Sequence, residues 1–272
     1  MIAASMTPSS ANSTGTYDML DHATLASLNA LKLFGFVEGL QQQKTQPEML
    51  AMTFDERLAL LVDREMNARS DRKRARLLQR ARLKVPGACI EDADFAGIRG
   101  LDRRTLTALA LSGWIERGDT VVLGGPTGVG KTWLACALAQ HACRRGHSAL
   151  YQRVPRLPEE LRIVRASGTL RKWLAELART DVLILDDWGT GSIDATTRAD
   201  LLEIVDDRAG QRATVITHQL PVEHWHGWIG DATVADAILD RLLPKAHRFS
   251  LDGPSRRSQR PTQAVHTEHS MT

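Results

Sequence analysis

The sequence predicts an α/β protein in which a five-stranded parallel sheet carries helices on both faces, preceded by a small all-helical domain. After about residue 89, short apolar segments typical of buried strands alternate with longer segments of helical pattern. Between about residues 23 and 86 the apolar residues recur at helical spacing instead. We expect strands at 120–123, 148–151, 181–185, 213–217 and 247–251. We expect helices in this part of the chain at 131–145, 156–166, 169–179, 195–209 and 232–243.

The N-terminal helical part has one apolar helix face and one clear helix start. The apolar face recurs at three-residue steps and consists of Leu25, Leu28, Leu31, Phe34 and Val37. A break is expected at Gln41–Gln43 and Pro47. Thr53 and Glu56 form a capping box, in which each side chain accepts a hydrogen bond from the other residue's backbone N–H. The helix that starts there is expected to end at Pro86.

Composition divides the chain into four parts, with the main domain boundary near Pro86 to Glu91. Residues 1–22 and 253–272 are rich in small and polar residues, and we expect both to be disordered tails, the second one basic. Residues 23–88 are predicted to form a helical, basic domain. Residues 89–252 are predicted to form the α/β domain.

The overall composition is that of a soluble protein in a reducing compartment. Hydrophobic residues make up 43% and charged residues 25% of the chain, which are ordinary globular values. No apolar run approaches the roughly 18 residues of a membrane helix, and the N-terminus lacks the pattern of a secretory signal. Cys136 and Cys143 lie about 10 Å apart along one expected helix, which is too far for a disulfide. We expect a cytoplasmic protein that does not bind membranes.

A phosphate-binding loop is the most specific motif in the chain. Residues 125–132 match G-x-x-x-x-G-K-[ST] at every fixed position, between an apolar strand and a helical segment. Backbone N–H groups and the positive end of a helix dipole would therefore face a polyphosphate. The residues expected to bind ATP are Gly125, Pro126, Thr127, Gly128, Val129, Gly130, Lys131 and Thr132. Lys131 would reach the β- and γ-phosphates, and the Thr132 hydroxyl would bind Mg²⁺.

Two carboxylates follow the third expected strand, about 50 residues after the loop. Asp186 is expected to hold Mg²⁺ through water, and Asp187 to orient and deprotonate the attacking water. The fourth expected strand ends at Thr217-His218-Gln219, where a polar side chain could contact the γ-phosphate or that water. For both strand ends the alternative is a solvated polar terminus.

A run of cations lies on the second expected helix. The segment from Arg64 to Lys84 contains nine basic residues and only two acidic ones. At 100° per residue, one stripe of this helix consists of Arg69, Arg72, Lys73, Arg76 and Arg80. We expect the stripe to bind the phosphates of duplex DNA without reading its sequence. The alternative is a solvated helix face.

Longer stretches resemble the IstB helper ATPases of insertion sequences. Besides the loop, the similar stretches are 54–65, 185–189, 219–226 and 235–242. The resemblance extends over about residues 25–252, and such long matches are far more specific than a phosphate-binding loop alone. The IstB helpers belong to the AAA+ class, close to the bacterial helicase loaders of the DnaC kind. The resemblance therefore implies an AAA+ P-loop core, and too few residues follow the last expected strand for the helical lid of larger AAA+ proteins.

The resemblance implies roles that spacing cannot supply. Ile90 to Phe95 would line the adenine pocket, and Gln219 would be the sensor residue. Arg241 would be the arginine finger that enters the nucleotide site of a neighbouring subunit, which implies a homo-oligomer. Without the resemblance, Arg241 would be a surface residue paired with Asp240. A second basic segment would face DNA, through Arg153, Arg162, Arg165, Arg171 and Lys172.

Two residues depart from the pattern of the family. Asp187 stands where a glutamate is usual, and its side chain is one methylene shorter. A misplacement of about 1 Å can cost on the order of a hundredfold in rate, so we expect slow hydrolysis. His218 stands where a serine is expected.

These features together predict a cytoplasmic Mg²⁺- and ATP-dependent ATPase that oligomerises on duplex DNA. The resemblance implies that it prepares target DNA and recruits or stimulates its transposase. Two alternatives stay open. A replicative helicase loader would hold a helicase with its N-terminal helices and would prefer single-stranded DNA. A non-hydrolysing scaffold would bind ATP and DNA without turnover.

Overall fold

The computed structural model describes residues 14–93, 100 and 103–255, with side chains from residue 22 onward except at residue 50. The described chain divides into two compact units, the first ending at Ala75 and the second beginning at Arg76. This division falls within a helix, whereas the sequence places the domain boundary near Pro86 to Glu91. The last residues of the predicted C-terminal tail, 256–272, lie outside the described residues.

The N-terminal part is helical, as the sequence predicts. Its helices are α1 Thr14–Ala30, α2 Phe34–Thr45, α3 Pro47–Leu50 and α4 Phe54–Ala81. Residues 14–22 are helical, where the sequence predicts a disordered tail, and the remainder of that tail lies outside the described residues. The first unit therefore consists of α1 to α3 and most of α4.

The apolar face that the sequence assigns to one helix is divided between α1 and α2. The chain turns at residues 31–33, where Lys32 has a left-handed φ of +59°. The expected break at Gln41–Gln43 is wrong, because these residues lie within α2. A three-residue apolar step fits helices on both sides of a short turn, so the spacing could not locate the turn.

The capping box at the start of α4 is confirmed. The Thr53 N–H donates to Oε2 of Glu56 at 2.8 Å, and the Glu56 N–H donates to Oγ1 of Thr53 at 3.3 Å. The helix ends at Ala81, before the predicted stop at Pro86, and the next residue, Arg82, has a left-handed φ of +48°. The last turns of α4 belong to the second unit.

A buried carboxylate on α4 caps the N-terminus of α2. Oε2 of Glu65 accepts hydrogen bonds from the N–H of Gly35 at 2.7 Å and of Phe36 at 3.3 Å, while Oε1 accepts one from Arg69 at 2.7 Å. A β-carbon on Gly35 would lie 2.7 Å from Cα of Glu65, so only glycine allows this approach. Burial raises the pKa of Glu65, but the bonds from Arg69 and the two N–H groups outweigh it and lower the pKa overall.

Replacing Glu65 with alanine is expected to destabilise the N-terminal unit by about 2–3 kcal/mol, because charge-assisted bonds are lost and buried donors stay unpaired. Urea unfolding of the full chain, followed by helical circular dichroism, measures this loss. The lowered pKa means that Glu65 stabilises the wild type above the ordinary carboxyl pKa, and that this stability disappears as the pH falls through the folded value. Glu38→Ala is the control, since Glu38 forms an exposed ion pair with Arg64 worth less than about 1 kcal/mol. Equal losses in the two variants would contradict the capping role.

A five-stranded parallel sheet forms the centre of the second unit. Its strands are β1 Thr120–Gly124, β2 Ala149–Arg153, β3 Val182–Trp188, β4 Ala213–His218 and β5 His247–Ser250. The strand order is β2-β3-β4-β1-β5, so β2 and β5 form the edges. The five predicted strands are confirmed, with ends displaced by at most three residues.

Helices cover both faces of this sheet, as predicted. They are α5 Arg103–Ala110, α6 Gly113–Glu116, α7 Lys131–Arg144, α8 Leu157–Ala166, α9 Leu170–Arg179, α10 Ala195–Arg208, α11 Trp225–Ile229 and α12 Ala232–Leu242. The sheet separates two hydrophobic cores. Val121 and Leu123 of β1 belong to the core that includes α7. Val122 belongs to the core that includes α8 to α12. The sequence missed α5, α6 and α11, which are short. Among the described helices, none is long and apolar enough to cross a membrane.

Candidate nucleotide site

The phosphate-binding loop lies where the carboxyl ends of the central strands meet. It follows β1 directly, and α7 begins at Lys131. Gly125, Gly128 and Gly130 all have left-handed φ angles, of +143°, +87° and +106°, which side chains disfavour. A β-carbon on Gly125 would lie 2.1 Å from the carbonyl oxygen of Leu251. The loop backbone therefore favours glycine at all three positions, and the chain that follows β5 leaves no room for a side chain at Gly125.

The Lys131 side chain lies inside the loop. Its Nζ donates to the carbonyl oxygens of Gly125 and Pro126, each at 2.7 Å, and the residue is only 7% exposed. A buried ammonium needs such partners. A polyphosphate in the loop would offer it anionic oxygens instead of carbonyls.

The carboxylate of Asp186 is the centre of the site and is fully buried. Oδ1 accepts hydrogen bonds from the hydroxyls of Thr132 at 2.7 Å and Thr217 at 2.6 Å. Oδ2 accepts one from the Tyr151 hydroxyl at 2.5 Å and lies 3.5 Å from Nζ of Lys84. Burial and the bond to Asp186 raise the pKa of Tyr151, so its hydroxyl keeps its proton and can donate.

Three of these partners were not among the candidate site residues that the sequence indicates. Thr217 belongs to the polar strand end that the sequence does single out. Tyr151 ends the second expected strand, but the sequence does not show that this strand lies beside the third, so it gave no sign of a contact with Asp186. Lys84 carries no such signal, because it is 102 residues away in sequence and only the fold brings it to this carboxylate.

Asp187 is held in place by two neighbours. Its backbone has a left-handed φ of +62°, and its N–H donates to Oγ1 of Thr217 at 3.0 Å. Nε of Arg153 donates to Oδ2 of Asp187 at 2.8 Å. The resemblance implies a DNA contact for Arg153, but the structure places it in the nucleotide site, because β2 and β3 are neighbours and Arg153 is aligned with Asp186.

The end of β4 borders the loop. Oε1 of Gln219 accepts a hydrogen bond from the Thr127 hydroxyl at 2.6 Å. Nδ1 of His218 lies 2.8 Å from the carbonyl oxygen of Leu220 and so carries the proton, and the ring packs edge-on against Trp225. Burial lowers the pKa of His218, so the ring stays neutral at neutral pH and adds no charge near the loop.

The residues expected to bind adenine are only partly described. Ile90 is buried in a short 3-10 helix, Ile90–Asp92. It also borders a groove of about 350 Å³, together with residues of α5 and α7 such as Leu106 and His141. Phe95 lies outside the described residues.

Arg241 lies at the other end of the sheet from the loop of its own chain. It borders a small cavity beside Thr120, the first residue of β1, whereas the loop follows the last residue of that strand. Its guanidinium donates to Asp206 and, at 2.9 Å, to the carbonyl oxygen of Ala237. The pairing with Asp240 that local sequence favours is therefore wrong, because packing of α12 against α10 brings Asp206 closer.

Several of the candidate DNA-binding cations are engaged in ion pairs. Arg69 and Arg72 pair with Glu65, Arg162 pairs with Glu159, and Arg165 pairs with Asp200. By contrast, no ion pair among the described residues involves Lys73, Arg76, Arg80, Arg171 or Lys172.

Two basic segments that are far apart in sequence meet at one groove, which we call the edge groove. It has a volume of about 460 Å³ and lies beside the first residues of β2, an edge strand. Arg80 of α4 and Lys172 and Arg179 of α9 line it, with Glu176 as an acidic residue on the same wall. The sequence singles out Arg80 and Lys172 separately, and only the fold shows that they share a surface.

The oxygen donors at the loop fit Mg²⁺. Mg²⁺ is usually held by one or two protein oxygens together with substrate phosphates and water, rather than by a cage of protein ligands. The Thr132 hydroxyl and the Asp186 carboxylate meet this description. Where the structure describes the chain, no cluster of three or more His, Cys, Asp and Glu side chains offers a different metal site.

Two proteins named for insertion sequences are similar in sequence to most of this chain. A protein of Pseudomonas fluorescens, provisionally named an insertion sequence IS1162 ATP-binding protein, is 49% identical over 203 residues, or 75% of this chain and 88% of that protein. The protein y4pL of Sinorhizobium fredii, provisionally named an insertion sequence ATP-binding protein, is 46% identical over 243 residues, or 89% and 99% of the two chains.

The chain is also similar to a solved structure and matches the model of a protein family. The crystal structure of DnaI superposes with a TM-score of 0.51 and 26% identity, over 63% of this chain and 91% of DnaI. This likeness confirms the predicted AAA+ P-loop fold. The profile of the IstB-like ATP binding protein family matches residues 26–264. The chain belongs to this IstB-like family.

Proposed function

We propose that the chain is an Mg²⁺-dependent ATPase that assembles on duplex DNA and serves the transposase of an insertion sequence. The observation that best supports nucleotide chemistry is the 2.7 Å hydrogen bond between Thr132 and Asp186. It joins the phosphate-binding loop to the strand-end carboxylate, which are the two halves of an ATP site. The relatives named as insertion-sequence proteins support the role in transposition.

The residues of the site have distinct tasks in this proposal. The loop N–H groups and the Lys131 ammonium bind the phosphates, and the Thr132 hydroxyl and Asp186 hold Mg²⁺, which neutralises phosphate charge when it is bound. Asp187 accepts the proton of the attacking water. Its carboxylate is directed to Arg153 in this structure, and this pairing supports slow hydrolysis in the absence of a stimulating partner.

The edge groove supports DNA binding. Arg80, Lys172 and Arg179 are all exposed, and together they outnumber the single carboxylate of Glu176. Cations that face solvent from several elements neutralise the phosphates of a nucleic acid and release its counterions. Because contacts from exposed cations to phosphates do not depend on the bases, we infer binding that is independent of DNA sequence.

The position of Arg241 supports assembly of several subunits. The five residues of β1 span roughly 15 Å and separate the Arg241 end of the sheet from the loop. Arg241 therefore cannot serve the nucleotide of its own chain, and a role as arginine finger requires a neighbouring subunit.

The test is the steady-state ATPase rate of the full chain with and without long duplex DNA, at low and physiological salt. We expect duplex DNA to stimulate turnover. We expect Arg241→Ala to lower the stimulated rate on the order of 10³-fold, as loss of an arginine finger does. Asp206→Ala is the matched control, because it breaks the same ion pair but leaves the guanidinium in place. Equal rates in the two variants would show that Arg241 is not an arginine finger.

A helicase loader is the second candidate, because the sequence also resembles the bacterial helicase loaders of the DnaC kind. Stimulation by single-stranded DNA or by a replicative helicase, with none by duplex DNA, would replace the transposition role with this one. A single turnover, with no further phosphate release, would leave only a scaffold that binds ATP.

A further inference from the structure

The partners of Asp186 are arranged on two sides of its carboxylate. Oδ1 faces the hydroxyls of Thr132 and Thr217, and Oδ2 faces Tyr151 and Lys84. Since Thr132 is the other residue assigned to Mg²⁺, Oδ1 is the oxygen on the metal side. Tyr151 and Lys84 contact the oxygen that is turned away from Thr132.

We propose that Tyr151 is a positioning residue, whose hydroxyl fixes the Asp186 carboxylate so that Oδ1 stays turned toward Thr132. This inference rests on the proposed ATP and Mg²⁺ site. A carboxylate with both oxygens bound cannot rotate freely, and a ligand whose orientation is set in advance binds its metal more tightly.

Tyr151 is better suited to this task than Lys84. Its hydroxyl lies 2.5 Å from Oδ2, whereas the Lys84 ammonium lies 3.5 Å away on a side chain that is 40% exposed. A partly exposed ion pair is weakened by solvent. A short bond from a hydroxyl to a charged oxygen is strong and directional.

The strand register explains why a tyrosine is needed at this position. Tyr151 of β2 is aligned with Ile184 of β3, and Asp186 is two residues further along the same face of β3. Since adjacent strands lie about 4.8 Å apart and rise about 3.3 Å per residue, such diagonal neighbours lie roughly 8 Å apart. A long aromatic side chain can bridge this distance. The phenol spans this distance and ends in a donor.

The test compares Tyr151→Phe with the wild-type full chain in titrations of the fluorescent nucleotide mant-ATP, in EDTA and at increasing Mg²⁺. The variant keeps the ring and loses only the hydroxyl. We expect the Mg²⁺ concentration that gives half of the gain in affinity to rise roughly 10- to 100-fold. Affinity in EDTA is expected to change by less than about twofold, because the loop itself is intact.

Ser148→Ala is the matched control for this experiment. Ser148 donates its hydroxyl to Asp181 at 2.8 Å, between the same two strands but at the end away from the loop. Its loss is expected to lower stability about as much as Tyr151→Phe does, without changing the Mg²⁺ requirement. Lys84→Met is expected to change that requirement less than Tyr151→Phe does.

Each outcome decides a different question. If the wild type responds to Mg²⁺ and Tyr151→Phe responds at the same concentration, the positioning role is wrong while the proposed function stands. An equal shift in Ser148→Ala would also refute it, because the effect would then come from stability. If Mg²⁺ leaves the wild-type affinity unchanged, the proposed metal site fails, and the positioning role fails with it.

Discussion

Replacing Lys131 with alanine is expected to weaken ATP binding at least roughly thirtyfold, because truncating one partner of a buried charge pair costs about 2–5 kcal/mol. The Lys131 ammonium is buried among carbonyl oxygens of the loop, and no other side chain of the loop carries a positive charge. Titration with mant-ATP in the presence of Mg²⁺ measures the change.

Lys245→Ala is the control for this variant. Lys245 is an exposed lysine in the cavity beside Thr120, at the end of β1 away from the loop. Its removal changes the net charge equally but is expected to leave the affinity within about twofold. Thermal unfolding of both variants separates a damaged loop from a damaged fold. Wild-type affinity in Lys131→Ala would contradict the assignment of the loop as the phosphate site.

Neutralising the edge groove is the second change with a large expected effect. The triple variant Arg80→Gln, Lys172→Gln, Arg179→Gln is expected to weaken binding to duplex DNA on the order of a hundredfold, if each exposed contact contributes about 1 kcal/mol. If each cation neutralises one phosphate, the slope of log affinity against log salt falls by about 2.7. Fluorescence anisotropy with a labelled duplex at several salt concentrations measures both quantities.

The control for the edge groove is Arg145→Gln, Lys245→Gln, Arg248→Gln, which removes the same net charge from exposed positions elsewhere. It tests whether the effect belongs to the groove or to the total charge of the protein. We expect it to retain most of the affinity, and both triple variants are expected to bind mant-ATP normally. Equal losses of DNA affinity in the two triple variants would show that the edge groove is not the binding surface.

The sequence predicted the order of strands and helices in the second unit well because the strand segments are apolar and bounded by polar or glycine-rich stretches. In the N-terminal unit it failed at the turn of residues 31–33. There, apolar residues continue at the same spacing across the turn, and the turn residues 31–33 include no proline or glycine. The sequence also failed to predict short helices such as α6, because four residues are too few to show a helical period.

By itself, the sequence determined the phosphate-binding loop, the strand-end carboxylates and the family resemblance. These are local features: each depends on residues close together in the chain, and a loop between a strand and a helix presents its N–H groups in much the same way in any such fold. The sequence also predicted that Asp186 and Asp187 belong to one site, because the two residues are adjacent.

Only the tertiary structure decided which distant side chains complete the site. Lys84 and Tyr151 reach Asp186 because the chain after α4 packs on this unit and β2 lies beside β3. Arg153 reaches Asp187 for the same reason. Arg80 and Lys172 share the edge groove although 91 intervening residues separate them in sequence. Such contacts depend on how helices and strands pack against each other, and this packing cannot be predicted from residue spacing along the chain.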